Sequence, residues 1–194
     1  MAEVRSTFKL ESGAVAPPFT LPDGAGESHC LAEISEGKAA TVVIFACNHC
    51  PFVVHLADSI AAAAGDYSAR GVAFVAVNSN DVDHYPADAP ENMVVFAARH
   101  GWEFPYLYDR SQAVAKAYAA ACTPDFYVFG GGGELAYAGQ FDASRPGNAE
   151  SVTGIDLRGA LDAVLAGQAV AGPWRPSSGC NIKWKPDNAP SYFS

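Results

Sequence analysis

The sequence predicts an α/β domain in which helices flank a central mixed sheet. Apolar runs of strand length alternate along the chain with segments whose apolar residues recur at helical spacing. Thr41–Phe45 and Val72–Val77 are rich in β-branched residues, as buried strands are. The chain has 194 residues, 49% of them hydrophobic, enough to bury one substantial core. We therefore expect one domain over residues 1–166 and an irregular C-terminal tail, docked on the same domain, over residues 167–194.

The first half of the chain supplies an N-terminal hairpin extension and two strand–helix pairs. Proline, glycine and aspartate cluster within residues 14–35, which favours turns and a short hairpin. Pro90 suits the start of a later helix and Gly101 suits its end. The predicted elements after the hairpin are a strand at 41–45, a helix at 51–67, a strand at 72–77 and a helix at 91–100.

The second half continues the alternation. Ser111 is predicted to cap an alanine-rich helix that runs to about Ala121. The four glycines at 130–133 lack the lysine and the following helix of a phosphate-binding loop, so we expect a hairpin turn there. The remaining predicted elements are strands at 106–108, 125–129 and 134–138 and a helix at 155–166 whose apolar face is Ile155, Leu157, Leu161, Val164 and Leu165.

Charge and composition exclude some classes of function. The net charge of −9 and the charged fraction of 17% argue against nucleic acid or an anionic membrane as partner. Residues 1–12 lack the apolar run of a signal peptide, and no stretch reaches the length of a membrane span. Five cysteines, an odd number, do not suit a disulfide-stapled secreted protein. We expect a cytoplasmic protein.

The run Cys47-Asn48-His49-Cys50-Pro51 is the feature most informative about function. It follows a predicted buried strand and opens a predicted helix, so its two thiols can meet on one helical turn and form a reversible disulfide. A zinc site would need a second close pair of ligands, whereas Cys30, Cys122 and Cys180 are isolated. The spacing therefore predicts a redox dithiol, with neither a metal nor a cofactor.

Four segments resemble the thioredoxin-like superfamily and, within it, the peroxiredoxin-related (AhpC/TSA-like) redoxin group. They are Cys47–Pro51, Phe104-Pro105-Tyr106-Leu107, Cys122-Thr123-Pro124-Asp125 and Gly179-Cys180-Asn181-Ile182-Lys183-Trp184-Lys185. The resemblance implies a thioredoxin-like fold with a cis Thr123-Pro124 peptide bond beside the dithiol. It also implies that Thr123 and Pro124 position the substrate, and that a backbone edge there could pair with an incoming peptide.

The two cysteines are not equivalent. The resemblance to thioredoxin implies that Cys47 attacks and Cys50 resolves. However, Pro51 suits the first helical position, which makes Cys50 the natural N-cap, where amide donors and the helix dipole stabilise a thiolate. Peroxiredoxins carry a threonine three residues before the peroxidatic cysteine, and this pattern places Cys47 in the threonine position and Cys50 in that of the cysteine. We therefore favour Cys50 as the low-pKa thiol and leave the order of attack open.

Other side chains could join the chemistry. His49 resembles the histidine of strongly oxidising members of the superfamily, where an imidazolium stabilises the thiolate; the alternative is a solvent-facing side chain. Cys122 and Cys180 are possible auxiliary thiols. Cys122 also fits a buried inert cysteine, and the sequence fixes no distance from Cys180 to another thiol. Lys183 and Lys185 are interpreted as residues that solubilise the tail.

Three functions fit these residues. The first is a thiol–disulfide oxidoreductase that exchanges electrons with protein or small-molecule disulfides and an unidentified electron donor. The second is a thiol peroxidase in which Cys50 attacks the peroxide, although the family's threonine is missing and its arginine could be any of Arg99, Arg110, Arg145 and Arg158. The third is a copper(I) carrier using Cys47, Cys50 and a histidine. We favour the first; whether the protein is a monomer or a homo-oligomer stays open.

Overall fold

The computed structural model describes residues 3–193 and confirms the α/β class. The strands are β1 Glu3–Arg5, β2 Thr20–Pro22, β3 Ser28–Cys30, β4 Ala40–Phe45, β5 Val72–Asn78, β6 Tyr106–Tyr108, β7 Cys122–Thr123, β8 Asp125–Gly130, β9 Leu135–Gly139 and β10 Ser178–Asn181. The helices are α1 Leu31–Ser35, α2 Pro51–Ser68, α3 Pro90–His100, α4 Ala113–Ala117 and α5 Ile155–Leu165, with a 3₁₀ turn at Pro86–Asp88.

A five-stranded mixed sheet in the order β6-β5-β4-β8-β9 forms the centre of the domain. Strand β4 pairs in parallel with β5 and antiparallel with β8, and all six of its residues are buried. Because successive side chains on a strand point to opposite faces, Val42 and Ile44 pack in one apolar cluster and Val43 and Phe45 in another. The chain leaves β4 between two packed layers, and this places the residues after Phe45 in the interior.

A second, smaller sheet has the order β1-β10-β7 and involves the C-terminal tail. Strand β10 forms within the segment expected to be irregular, and it pairs antiparallel with β7, with Cys180 opposite Thr123. One backbone edge of β7, the strand that we expected to pair with an incoming peptide, is therefore paired with the protein's own tail. Lys183 is 5% exposed and its Nζ donates to the backbone and side-chain oxygens of Asn181, so the prediction that it solubilises the tail was wrong.

Two predicted helix details were wrong. Helix α4 ends at Ala117, and its N-cap is Gln112, with φ +63°, although the Ser111 hydroxyl does accept a hydrogen bond from the Ala113 amide. The left-handed turns at Gln112 and Ala119 confine the helix to one short segment. In α5, Ile155 is 68% exposed, because it lies out of phase with the buried stripe Leu157, Ala160 and Leu161.

The predicted turns are present. Strands β2 and β3 form the N-terminal hairpin, and the four glycines join β8 to β9 through a turn in which the Gly133 amide donates to the Gly130 carbonyl. Gly101 ends α3 in the left-handed conformation, as predicted from the sequence. Within residues 3–193, no helix is long and apolar enough to cross a membrane.

Candidate active site

The two cysteines of the motif lie between the end of β4 and the start of α2. Cys50 is the N-cap residue of α2, with extended backbone angles, and Pro51 occupies the first helical position, as predicted. Cys47 is 1% exposed and Cys50 is fully buried. Cys50 makes no side-chain cap hydrogen bond, but its buried sulfur lies at the positive end of an eighteen-residue helix, in a site with little water.

Thr123 contacts both sulfur atoms. The Cys50 thiol donates a hydrogen bond to the Thr123 carbonyl oxygen at 3.1 Å, and Cys47 Sγ lies 3.5 Å from the Thr123 hydroxyl. The Thr123-Pro124 peptide bond is cis, as the resemblance implied. Strand β7 thus brings the threonine and proline of the third motif against the dithiol, although 73 residues separate Thr123 from Cys50.

The surroundings of the two thiols shift their pKa values in opposite directions. The neighbouring Cys47 thiol is the largest influence on Cys50; together with Cys180, Thr123 and the backbone at Val53 it outweighs burial and lowers the pKa of Cys50 to about 5. Burial, together with the neighbouring Cys50, raises the pKa of Cys47 well above its ordinary value. In the reduced site the negative charge therefore resides on Cys50, and Cys47 keeps its proton.

His49 faces a buried carboxylate that the sequence did not indicate. The His49 Nδ1 atom lies 2.7 Å from Asp88 Oδ2 in an ion pair that lacks hydrogen-bond geometry, and the imidazole is 21% exposed. Interaction with Asp88 raises the pKa of His49 despite partial burial, and the thiolate of Cys50 adds to this effect. The reading of His49 as a solvent-facing residue is therefore wrong.

Asp88 also fixes the backbone of the motif. Its Oδ1 accepts hydrogen bonds from the amides of Asn48 at 2.8 Å and His49 at 3.2 Å, and its Oδ2 accepts one from the Asn80 side chain at 2.8 Å. Burial opposes ionisation of Asp88, but His49 and these donors outweigh it, so the pKa of Asp88 is lowered. Asp88 lies in the polar loop between β5 and α3, where neither periodicity nor a motif marks it.

These groups also form the cluster most similar to a metal site. Ligand atoms of Cys47, His49 and Asp88 lie within 4.8 Å of one another. However, both Asp88 oxygens already accept hydrogen bonds, and a hard carboxylate in place of a second thiolate does not suit copper(I). The arrangement is better described as an ion pair beside a thiol.

The remaining cysteines differ in their relation to the dithiol. Cys122 is buried, its Sγ faces the Pro124 carbonyl oxygen at 3.7 Å, and burial raises its pKa. Cys180 is 4% exposed, stands opposite Thr123 in the pairing of β10 with β7, and belongs to the same buried cluster as Cys50. Cys30 is partly exposed and caps α1. All five cysteines are free thiols.

A pocket adjoins the dithiol on the side of Pro124. Its wall includes Phe52 and His55 from the first two turns of α2, and the pocket extends to Ser178 of β10. His55 lies 3.2 Å from the Ser144 hydroxyl, another lining residue. Of the four arginines considered for a peroxidase, Arg145 lines this pocket.

The fold and the paired cysteines define a thioredoxin-like redox protein. The AhpC/TSA family model matches residues 12–138, and the chain belongs to that family. A Mycobacterium tuberculosis protein named "Putative peroxiredoxin Rv2521" is 29% identical over 114 residues, 59% of this chain and 67% of that protein.

Two solved structures place the fold. An uncharacterized conserved protein from Geobacillus kaustophilus is 50% identical, with a TM-score of 0.92 over 96% of this chain and 98% of that one. A secreted Mycobacterium tuberculosis disulfide oxidoreductase homologous to E. coli DsbE is 21% identical, with a TM-score of 0.56 over 75% of this chain and 95% of that one. The second similarity, at this identity, shows the fold alone.

Proposed function

We propose that this protein is a thiol–disulfide oxidoreductase in which Cys50 attacks and Cys47 resolves. The observation that carries the proposal is the placement of two buried thiols against Thr123, with Cys50 at the N-cap of α2; these surroundings lower the pKa of Cys50 to about 5 and raise that of Cys47. At neutral pH such a pair holds one thiolate, which is the nucleophile, and one thiol, which waits for the second step. Membership of a redox family supports the same chemistry.

The reaction moves two electrons between sulfur atoms. The Cys50 thiolate attacks one sulfur of a protein or small-molecule disulfide, whose S–S bond breaks and releases the first thiolate. Cys47 then attacks Cys50 Sγ in the mixed disulfide, and its proton leaves with the second thiol. The products are two reduced thiols and a Cys47–Cys50 disulfide. A dithiol electron donor reverses these steps and restores the reduced site.

Neighbouring residues bias this exchange. The imidazolium of His49, held by Asp88, favours the thiolate of Cys50; this stabilises the reduced site and makes the disulfide more oxidising. The Thr123 hydroxyl lies against Cys47, and Pro124 lines the adjoining pocket. Because both sulfur atoms are buried, a small or flexible disulfide is better suited than a rigid one to reach them as a substrate.

The test is the reaction of the reduced protein with a chromogenic aromatic disulfide at mildly acidic pH, followed by stopped flow. In a chain that carries Cys30→Ser, we expect Cys47→Ser to keep the fast release of the chromophore, because serine retains a hydrogen-bond donor, and Cys50→Ser to lose it. Both variants should lose catalytic turnover of glutathione disulfide. Fast release that survives in Cys50→Ser and disappears in Cys47→Ser would overturn the assignment of the nucleophile.

A thiol peroxidase is the second candidate, supported by the family and by the position of Cys50 at the helix cap. In that reaction the Cys50 thiolate attacks hydrogen peroxide and releases one water, and the resulting sulfenic acid condenses with the Cys47 thiol to give the Cys47–Cys50 disulfide and a second water. Cys47 occupies the position where the family has threonine, and this substitution weighs against the peroxidase. Rapid peroxide-dependent sulfenylation of Cys50, without turnover of disulfides, would favour the peroxidase over the oxidoreductase.

A further inference from the structure

Cys180 is held against the dithiol by strand β10. In the antiparallel pairing of β10 with β7, Cys180 stands directly opposite Thr123, whose carbonyl oxygen contacts Cys50 Sγ. Cys180 and Cys50 belong to the same buried cluster, and β10 packs against α2, the helix that Cys50 caps. A third thiol therefore lies next to the sulfur that both steps of the proposed reaction use.

The approach of β10 to β7 is unusually close. A Cβ atom on Gly179 would lie 2.0 Å from the Thr123 carbonyl oxygen, so only glycine permits this spacing. Beyond Cys180, the Ile182 amide donates to the Ala121 carbonyl at 3.0 Å, and the Lys183 carbonyl accepts from the Asp81 amide at 2.9 Å. Cys180 is thus held from both sides by buried backbone contacts.

The geometry of β10 is that of an extended substrate added to a strand edge. A peptide that binds by β-augmentation lies antiparallel or parallel to the edge and presents alternate side chains to the site. Here the tail takes that place, and the side chain that it presents to Cys50 is itself a thiol. Cys122 differs, because its sulfur faces the Pro124 carbonyl oxygen instead.

We propose that Cys180 is a third redox thiol, which attacks the Cys47–Cys50 disulfide at Cys50 and forms a Cys50–Cys180 disulfide. Cys180 loses its proton and attacks Cys50 Sγ, the bond between Cys50 and Cys47 breaks, and Cys47 leaves and takes up the proton. One S–S bond forms and one breaks, so the exchange needs no further oxidant. The proposal rests on the proposed function, since it requires Cys50 to react with disulfides.

The test uses the full chain carrying Cys30→Ser and Cys47→Ser, so that neither the exposed thiol nor the first resolving thiol remains. The reduced protein is mixed with glutathione disulfide, the free thiols are alkylated, and unreduced peptides are mapped by mass spectrometry. Glutathione first joins Cys50, and we expect Cys180 to displace it. The expected product is a Cys50–Cys180 crosslinked peptide without bound glutathione.

Two matched variants complete the experiment. Adding Cys180→Ser should leave glutathione on Cys50, whereas adding Cys122→Ser should change nothing. A stable glutathione adduct on Cys50, with Cys180 alkylated, would overturn the proposal for Cys180 and leave the proposed function intact. Failure of Cys50 to react with glutathione disulfide in the chain that retains Cys47 and Cys180 would overturn both.

Discussion

Cys50 Sγ lies 3.1 Å from the carbonyl oxygen of Thr123, the residue that precedes the cis proline. That oxygen can accept a hydrogen bond from the thiol but offers none to the thiolate. Deprotonation of Cys50 therefore depends on donors from elsewhere, with Cys47 the largest contributor. The reactivity of the motif is set by β7 and β10 as well as by the helix that it opens.

The Thr123 hydroxyl is expected to assist the thiolate. It contacts Cys47 and also helps to lower the pKa of Cys50. Thr123→Val keeps the shape and removes the hydroxyl, so we expect the pKa of Cys50 to rise by about one unit, as one lost hydrogen bond to a charged group implies. The pH dependence of alkylation measures this value. Thr41→Val, in the buried strand β4, is the control and should leave it unchanged.

Asp88 is expected to support both the fold and the charge of His49. The Asp88 carboxylate accepts hydrogen bonds from the Asn48 amide and the Asn80 side chain. In Asp88→Asn an NH2 group replaces one of the carboxylate oxygens and cannot accept such a bond, so we expect a loss of about 1–3 kcal/mol in the free energy of unfolding. The pKa of His49, followed by NMR, should fall in the variant. Asp58→Asn is the control, since Asp58 is 86% exposed in its pair with His100; its unfolding free energy should stay within about 0.5 kcal/mol.

The interaction of His49 with Asp88 also makes the stability of the wild-type protein depend on pH. Because the pKa of His49 in the folded protein lies above its ordinary value of 6.5, the stabilisation is fully present below pH 6.5 and is lost as the pH rises through the folded value. Denaturant titrations across this range should show the decline in the wild type and a weaker one in Asp88→Asn. Equal slopes in the two proteins would exclude the pair as the cause.

Gly179 should not tolerate a side chain. Gly179→Ala forces a methyl group against the Thr123 carbonyl oxygen and should destabilise the protein by about 1–3 kcal/mol. Gly159→Ala is the matched control, because nothing lies within 4 Å of its Cβ position in α5; it should stabilise the protein by about 0.5–1 kcal/mol. A Gly179→Ala variant as stable as the wild type would show that β10 does not lie this close to β7.

Ionisation of the buried Asp125 carboxyl group is expected to lower the stability of the protein as the pH rises. Burial is the largest influence on this carboxyl group and raises its pKa from 3.8 to about 6, against hydrogen bonds from Ser6 and Tyr127. A raised carboxyl pKa means that the folded state binds more protons, so this contribution to stability falls between about pH 4 and pH 6. Asp125→Asn should lack that fall. Thermal unfolding at matched pH values compares the two proteins.

Local chemistry explains what the sequence could predict. The strand β4 and the helix α2 follow from apolar runs and helical spacing, and the cap at Cys50 follows from the proline after it. The cis bond at Pro124 came from the family resemblance. These features depend on a few neighbouring residues or on a recognisable motif.

Long-range contacts explain the features that the sequence could not predict. Asp88 reaches Asn48 and His49 from 40 and 39 residues away, and no local pattern marks a loop carboxylate that becomes fully buried. Likewise, Cys180 meets Cys50 only because β10 pairs with the two-residue strand β7. Short strands with few apolar residues give a weak signal, so the tail was predicted to be irregular.

The thiolate titration of the reduced protein tests the central claim most directly. Thiolates absorb in the ultraviolet, so the measurement does not depend on access of a reagent to the buried sulfurs. We predict an absorbance step with a midpoint near pH 5 in the wild type, its retention in Cys47→Ser, and its loss in Cys50→Ser. A step that persists in Cys50→Ser and disappears in Cys47→Ser would contradict the account.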